Sequence, residues 1–169
     1  MPPLQKKICM AGSFAVGKTS LVRRFVESIF DERYQTTVGV KIDKKVVQAD
    51  GQELTLLLWD LAGEDDLAQV RPSHLRGASG FILVVDGCRS HTLETALSLE
   101  RRITHETGPV PFVLALNKAD LASGWEISEA AIDPLLRCGW TCVRTSARDG
   151  RGVEDLFLSL ARKMLEAKE

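Results

Sequence analysis

Residues 12–19 of the chain read Gly-Ser-Phe-Ala-Val-Gly-Lys-Thr, and residues 117–120 read Asn-Lys-Ala-Asp. The first stretch fits the pattern G-x-x-x-x-G-K-[ST], in which a loop between a strand and a helix cradles phosphates with its backbone N–H groups. The second stretch ends in the carboxylate of Asp120, which can accept hydrogen bonds from the N1–H and 2-amino groups of guanine. Adenine has no donor at those positions, so a buried carboxylate there would reject it. Together the two stretches predict a guanine-nucleotide site on a phosphate-loop fold.

The length and charge of the chain fit one globular domain. It has 169 residues, of which 44% are hydrophobic and 27% charged, and its formal net charge is −1. We therefore expect a single domain over Met1–Glu169 with a substantial core. A nearly neutral chain has no general attraction to nucleic acid, and no apolar run approaches the ~20 residues of a membrane span.

The cysteines and the chain ends indicate a reducing, cytoplasmic setting. Cys9, Cys88, Cys138 and Cys142 form no Cys-x-x-Cys pair and have no histidine at zinc spacing, so free thiols are expected. The start resembles neither a signal peptide nor a myristoylation site, and the final Glu-Ala-Lys-Glu offers no cysteine for prenylation. We expect no membrane anchor in this sequence, and membrane association would need a further tail or a partner.

The apolar pattern predicts alternating strands and helices. Residues 81–86 and 110–116 are nearly continuous apolar runs, which are typical of parallel strands buried on both faces. Residues 40–49 and 53–59 flank Asp-Gly at 50–51, a strong hairpin signal. The remaining strands are predicted at 5–11 and 141–145, and helices at 17–28, 92–106, 128–137 and 153–167. The order β-α-β-β-α-β-α-β-α-β-α predicts a three-layer α/β fold of the P-loop NTPase type. Its six-stranded sheet is mostly parallel with one antiparallel edge strand, and about five helices cover it.

The phosphate loop has a role for each of its distinctive residues. Gly12 and Gly17 let the backbone turn tightly and approach phosphate oxygens. Lys18 would bridge the β- and γ-phosphates, and the Thr19 hydroxyl would ligate Mg²⁺. The loop follows a predicted strand and opens a predicted helix, which is the context that this motif requires. Ligands of such sheets bind beyond the carboxyl ends of the strands, where all of these motifs fall.

The chain resembles the small GTPases of the Ras superfamily, and its Rab-like branch most of all. Residues 30–40, which end Thr-Val-Gly-Val, resemble the first switch of that family, and residues 59–64, Trp-Asp-Leu-Ala-Gly-Glu, resemble the second. The resemblance implies that Thr37 supplies a second hydroxyl to Mg²⁺ and that Asp60 holds the ion through water. Loss of the γ-phosphate would release both switches, a change that partners can read. It also implies three nucleotide contacts, from Phe30 beside the guanine ring, Tyr34 over the phosphates and the Gly63 amide at the γ-phosphate.

The base end follows the same family pattern. Asn117 would bond guanine N7 and tie neighbouring loops together, and the stem of Lys118 would lie along the ring. Residues 145–147, Thr-Ser-Ala, resemble the loop in which the Ala147 N–H donates to guanine O6. The residues expected to line the nucleotide are Phe14, Ala15, Val16, Gly17, Lys18, Thr19, Ser20, Phe30, Tyr34, Thr37, Gly63, Asn117, Lys118, Asp120, Ser146 and Ala147.

Two departures from the family pattern bear on hydrolysis. The catalytic group is expected to comprise Glu64, Lys18, Thr37 and Gly63, but the family has Gln at the position of Glu64, where it orients the attacking water. A carboxylate there cannot donate a hydrogen bond, and it repels the γ-phosphate by on the order of a few kcal/mol at an effective dielectric of about 20. The bulky Phe14 would also crowd an arginine supplied by a partner. Alternatively, Glu64 acts as a general base, or Arg33 serves as an arginine in cis.

The sequence therefore predicts a GTP-dependent switch with slow, Mg²⁺-dependent hydrolysis. Regulators and effectors would bind it through residues 36–47 and 61–76. The alternative is a hydrolysis-deficient module that stays loaded with GTP, and the hydrolysis rate separates the two. A third hypothesis is a small-molecule kinase that uses the same phosphate loop, but it leaves the Asn-Lys-Ala-Asp stretch at 117–120 without a function.

Overall fold

The computed structural model describes residues 4–27, 40–61 and 71–167. Within these ranges the chain forms a central sheet with helices on both sides. The strands are β1 (Leu4–Gly12), β2 (Val40–Ala49), β3 (Gln52–Leu61), β4 (Gly80–Asp86), β5 (Phe112–Asn117) and β6 (Cys142–Arg144). The helices are α1 (Lys18–Glu27), α2 (Pro72–Leu75), α3 (His91–Thr107), α4 (Glu129–Arg137) and α5 (Val153–Glu166), and Ala122–Gly124 adds a short 3₁₀ turn.

The sheet has the topology that the sequence predicts. Its strand order is β2-β3-β1-β4-β5-β6, and every neighbouring pair is parallel except β2 with β3. The α/β class, the six described strands and the single antiparallel edge are thereby confirmed. Because β1, β4 and β5 lie side by side and run in one direction, the loops that follow them meet at one edge of the sheet.

The β2–β3 hairpin closes on the residues that its signal indicates. Ala49 pairs with Gln52, so the turn consists of Asp50 and Gly51 alone. Their φ angles are +50° and +75°, as a two-residue hairpin turn needs to match the strand twist. This turn lies at the end of the sheet opposite the phosphate loop, and it fixes the register of β3 up to Asp60.

Two apolar cores hold the layers together, one on each face of the sheet. On one face, α1 and α5 pack through Phe25 and Phe157, whose rings stack with centroids 4.1 Å apart. On the other face, α3 buries Leu99 and Ile103, and α2 buries Leu75. Stacked aromatic pairs add about 0.5–1.5 kcal/mol to the stabilisation from burial alone. The helices are thus fixed to a rigid sheet, and α1 carries the residues that follow the phosphate loop.

The starts of α3 and α4 are closed by different residues. Ser90 occupies the position before α3, but its side chain makes no capping hydrogen bond. The Thr92 hydroxyl closes this turn instead, accepting from the Asp86 N–H at 3.0 Å and donating to the Arg89 carbonyl at 2.7 Å. Ser128 does cap α4, accepting from the Ala131 N–H at 3.2 Å.

The four cysteines are free thiols, as expected, and Cys9 is fully buried. Among the helices in the described ranges, none combines the length and the apolar character that crossing a bilayer requires.

Candidate functional site

The phosphate loop is held in place by hydrogen bonds that its backbone carbonyls accept from the rest of the protein. Lys18 Nζ donates to the Gly12 and Ser13 carbonyls at 3.1 Å each, and the Leu21 N–H donates to the Gly17 carbonyl at 2.9 Å. The three carbonyls between them accept from side chains at the ends of β4 and β5, namely Phe14 from Arg89 at 2.7 Å, Ala15 from Lys118 at 3.1 Å and Val16 from Asn117 at 3.0 Å. Every carbonyl from residue 12 to residue 17 therefore has a donor. A backbone whose carbonyls all bond to the protein can present its N–H groups to an anion.

The two motif glycines have no room for a side chain. A Cβ on Gly12 would lie 2.5 Å from the Val84 carbonyl oxygen, and a Cβ on Gly17 would lie 2.3 Å from the Asn117 amide nitrogen. Both residues also have positive φ, at +155° and +104°. The glycines are thus required by close approach to β4 and β5, in addition to any phosphate. Ala15, which follows Phe14 in the loop, has a φ of +62°, a strained value for a residue with a Cβ.

Lys18 and Thr19 lie at the start of α1, where the sequence places them. Lys18 is only 5% exposed, so its ammonium is nearly removed from water. The Thr19 hydroxyl donates to Asp60 Oδ2 at 2.6 Å, which joins the end of the phosphate loop to the end of β3. Asp60 is itself 1% exposed. This hydroxyl and this carboxylate are two of the three residues predicted to serve Mg²⁺. Oxygen donors of this kind fit the ion, which prefers oxygen ligands and keeps several waters. The third residue, Thr37, lies outside the described residues.

Asn117 joins the phosphate loop to the base-end loops. It is 2% exposed. Its Nδ2 donates to the Val16 carbonyl, and its Oδ1 accepts from the Thr145 hydroxyl at 3.0 Å. Both of its polar atoms are therefore used within the protein. The tie between loops that the resemblance implies for Asn117 is present in this geometry.

Asp120 and Ser146 are brought together from two different loops. The Ser146 hydroxyl donates to Asp120 Oδ1 at 2.9 Å, and the Asp149 N–H in turn donates to that hydroxyl at 3.2 Å. Ala147 is buried beside them, and its carbonyl accepts from Arg24 Nε of α1 at 2.8 Å. The two segments that the sequence assigns to the base thus form one arrangement next to the phosphate loop.

A buried carboxylate that the sequence analysis did not assign lies between these two regions. Asp86, the last residue of β4, is 4% exposed at its side chain and contacts two cations through Oδ2, Arg89 Nε at 2.9 Å and Lys118 Nζ at 3.0 Å. Its Oδ1 accepts from the Cys88 N–H at 2.8 Å. Burial alone would raise the pKa of Asp86, but the hydrogen bonds from Cys88, Arg89 and Lys118 outweigh it and lower that pKa. The carboxylate is therefore ionised at neutral pH and orients both cations.

The remaining predicted site residues divide into described and undescribed ones. Phe14 is 42% exposed at the surface of the loop, and Ser20 lies half-buried in the first turn of α1. Lys118 has a φ of +69°, and its stem reaches from the base-end loop to the phosphate loop. The predictions for Phe30, Arg33, Tyr34, Thr37, Gly63 and Glu64, and for residues 36–39 and 62–70 of the two segments assigned to partners, lie outside the described residues.

Comparison with known proteins agrees with this geometry. The profile of the Ras family matches residues 7–166. The chain belongs to the Ras family. The chain is 33% identical to Ras-related protein Rab-7L1 of Rattus norvegicus, in an alignment that covers 94% of this chain and 81% of the relative. Rab-22A of Mus musculus is 32% identical over 94% of this chain and 82% of the relative, and human Rab-32 is 32% identical over 94% and 74%. The resemblance to the Rab-like branch is thereby confirmed.

Membership fixes the general chemistry of this Ras-family chain. Proteins of the Ras and Rab families are GTPases that bind guanine nucleotide and Mg²⁺ and interact with regulators and effectors. The kinase reading has no support in these comparisons. The signal that could have revealed Asp86 was its place as a carboxylate closing the fully buried strand β4, at the same edge as the two motifs.

Proposed function

We propose that the chain is a single-domain guanine-nucleotide switch that hydrolyses GTP slowly. The observation that carries this proposal is the convergence of Asp120, Ser146 and the phosphate loop through Asn117 and Lys118. One end of this arrangement has a carboxylate suited to the donors of guanine, and the other has backbone amides and the Lys18 ammonium suited to phosphates.

Within this site each residue has a stated task. Lys18 binds the β- and γ-phosphates, and the residues from Phe14 to Ser20 surround them. Thr19, Thr37 and Asp60 hold Mg²⁺, which neutralises charge on the phosphates when it is bound. Asp120 reads the purine while Ser146 orients it, and Phe30 and Ala147 complete the base pocket. Tyr34 and Gly63 close on the phosphates, and partners bind at residues 36–47 and 61–76.

Base recognition is tested by the substitution Asp120→Asn. An amide in place of the carboxylate loses the second acceptor for guanine but can donate to the C2 carbonyl of xanthine. Titration calorimetry should show GDP affinity falling by at least about a hundredfold and xanthosine diphosphate affinity rising, because the bound guanine would face a mismatched polar group. The matched control is Asp133→Asn, an exposed carboxylate on α4, which should change neither affinity. Equal binding of ADP and GDP by the wild type would refute the proposed specificity.

The slow hydrolysis is tested at Glu64 and Phe14. Single-turnover GTP hydrolysis should accelerate about tenfold or more in Glu64→Gln, because removal of a few kcal/mol of repulsion changes a rate by tenfold for each ~1.4 kcal/mol. Glu129→Gln, an exposed change at the start of α4, is the control. If Glu64→Gln is no faster than the wild type, Glu64 is not the bottleneck. If the wild type shows no turnover at all, the chain is the GTP-locked module instead.

A substitution at Phe14 tests whether its ring blocks the stimulation of hydrolysis by an activating protein. Replacement by Ser should leave intrinsic hydrolysis within about twofold and restore stimulation by an activating protein that supplies an arginine. Unchanged insensitivity in Phe14→Ser would show that the ring is not the obstacle.

A further inference from the structure

The loop after β4 carries an arginine that reaches the phosphate loop. Arg89 Nη2 donates to the Phe14 carbonyl at 2.7 Å, and its Nε is held by Asp86 Oδ2 at 2.9 Å. The guanidinium thus uses two of its nitrogens at once, one on a buried carboxylate and the other on a carbonyl far away in sequence. A planar fork of this kind is pre-organised for two simultaneous bonds, which an ammonium cannot make in the same geometry.

The bond from Arg89 to the Phe14 carbonyl lies next to a strained residue of the phosphate loop, so its loss should affect nucleotide binding. Phe14 is followed by Ala15, whose φ of +62° makes that part of the loop strained. A strained loop relaxes unless its surroundings hold it. Lys118 donates to the Ala15 carbonyl and forms an ion pair with Asp86, the carboxylate that also holds Arg89. The single buried charge of Asp86 thus positions the donors to two successive peptide units.

We propose that Arg89 is a positioning residue for the phosphate loop, which holds the Phe14 peptide in place and thereby slows the release of nucleoside diphosphate. The inference rests on the proposed function, since it concerns the same guanine-nucleotide site. It adds a residue outside the nucleotide-binding motifs to the set that determines how long the nucleotide stays bound.

The test compares Arg89→Ala with Arg101→Ala. Arg101 is an exposed arginine on α3 that donates to the Ser98 hydroxyl at 3.3 Å, away from the loop. With a fluorescent GDP analogue, dissociation from Arg89→Ala should be about tenfold faster than from the wild type, the effect of losing one charge-assisted hydrogen bond of a partly exposed group. Arg89→Lys keeps the charge but not the planar guanidinium, so its rate of GDP release should lie between those of the wild type and Arg89→Ala. Arg101→Ala should match the wild type.

Competition with GMP distinguishes positioning from a general structural role. GMP lacks the outer phosphates, so its dissociation constant should change less than about threefold in Arg89→Ala while that of GDP rises about tenfold. In an Asp86→Ala background, Arg89→Ala should add less than about twofold to GDP release, because the guanidinium has already lost the acceptor that holds its Nε.

The outcomes separate this inference from the proposed function. If the wild type does not bind GDP, both fail. If the wild type binds GDP and the release rates of Arg89→Ala and Arg89→Lys stay within about twofold of it, the inference alone is overturned. Equal loss of GMP and GDP affinity also overturns it, since the arginine would then act on the fold. Should Arg89→Ala be too unstable to purify, Arg89→Lys carries the same comparison.

Discussion

Loss of the Asn117 side chain should destabilise this fold strongly. Its amide is 2% exposed and bridges two elements, with Nδ2 on the Val16 carbonyl and Oδ1 on the Thr145 hydroxyl, both at 3.0 Å. Val16 and Thr145 are both 0% exposed, so water cannot easily replace the lost partner. The substitution Asn117→Ala therefore strands a buried acceptor and a buried hydroxyl at once.

The magnitude follows from the number of stranded groups. Each buried polar group left without a partner costs about 1–3 kcal/mol, so the two groups stranded by Asn117→Ala should lower the free energy of unfolding by about 2–6 kcal/mol. Thr145→Val removes only the hydroxyl and keeps the shape, so it should cost about 2 kcal/mol by stranding Asn117 Oδ1. Equilibrium urea unfolding measures both values, and an unchanged slope against urea shows that the same transition is being compared.

Nucleotide linkage gives the same prediction a second readout. A ligand that binds only the folded state stabilises it in proportion to the logarithm of its concentration over its dissociation constant. Excess GDP should therefore stabilise the wild type far more than Asn117→Ala, because the phosphate loop of the variant is no longer tied to β5. The reasoning fails if Asn117→Ala costs less than about 1 kcal/mol, or if Thr145→Val costs as much as Asn117→Ala.

Three further predictions follow from single positions. Ala15→Gly should raise the free energy of unfolding by about 1 kcal/mol in the same assay, because it relieves a φ of +62°. Burial raises the pKa of the Cys9 thiol from 9.0 to about 11. The unfolded chain therefore ionises first, so the stability that Cys9 contributes is intact below pH 9 and is lost as the pH rises toward 11. Relative to Cys9→Ala, the wild type should lose about 2 kcal/mol across that range in urea unfolding. Gly17→Ala should cost at least about 2 kcal/mol more than Gly139→Ala, because the latter has a similar φ of +90° with nothing within 4 Å while Gly17 faces the Asn117 amide. Equal costs would show that backbone strain alone explains both.

The sequence predicted the sheet well because its signals are local and strong. Buried strands such as Gly80–Asp86 are apolar over most of their length, here from Phe81 to Val85, and the Asp-Gly turn permits little besides a two-residue hairpin. The order of alternating elements then restricts the topology to a mostly parallel sheet. The motif residues could be located for the same reason, since each motif begins at or directly after the carboxyl end of a strand.

What the sequence did not reveal depends on contacts between distant segments. Asp86 and Arg89 are three residues apart, and that spacing is common in loops. Their role appears only when the fold brings the Phe14 carbonyl within reach of the guanidinium. The start of α3 illustrates the same limit, because Ser90 and Thr92 both offer a hydroxyl. Packing against the end of β4 decides that Thr92 is the one that bonds.

The carbonyl side of the phosphate loop explains why so much of this site lies outside its motif. A loop that directs its N–H groups at an anion directs its carbonyls away, and each needs a donor from the protein. The donors for Phe14 and Ala15 come from the loops after β4 and β5, and the donor for Val16 is the last residue of β5. Two of the three are cations anchored on the one carboxylate of Asp86, so the loop is held by charges that also favour a polyphosphate nearby. Lys118 belongs to the base-end loop and donates to the phosphate loop. The two loops that a nucleotide would contact are therefore already bonded to each other in the protein. The phosphate loop and the base-end loop are therefore joined by hydrogen bonds from Asn117 and Lys118. We expect a substitution in either loop to change the ligand affinity of the other.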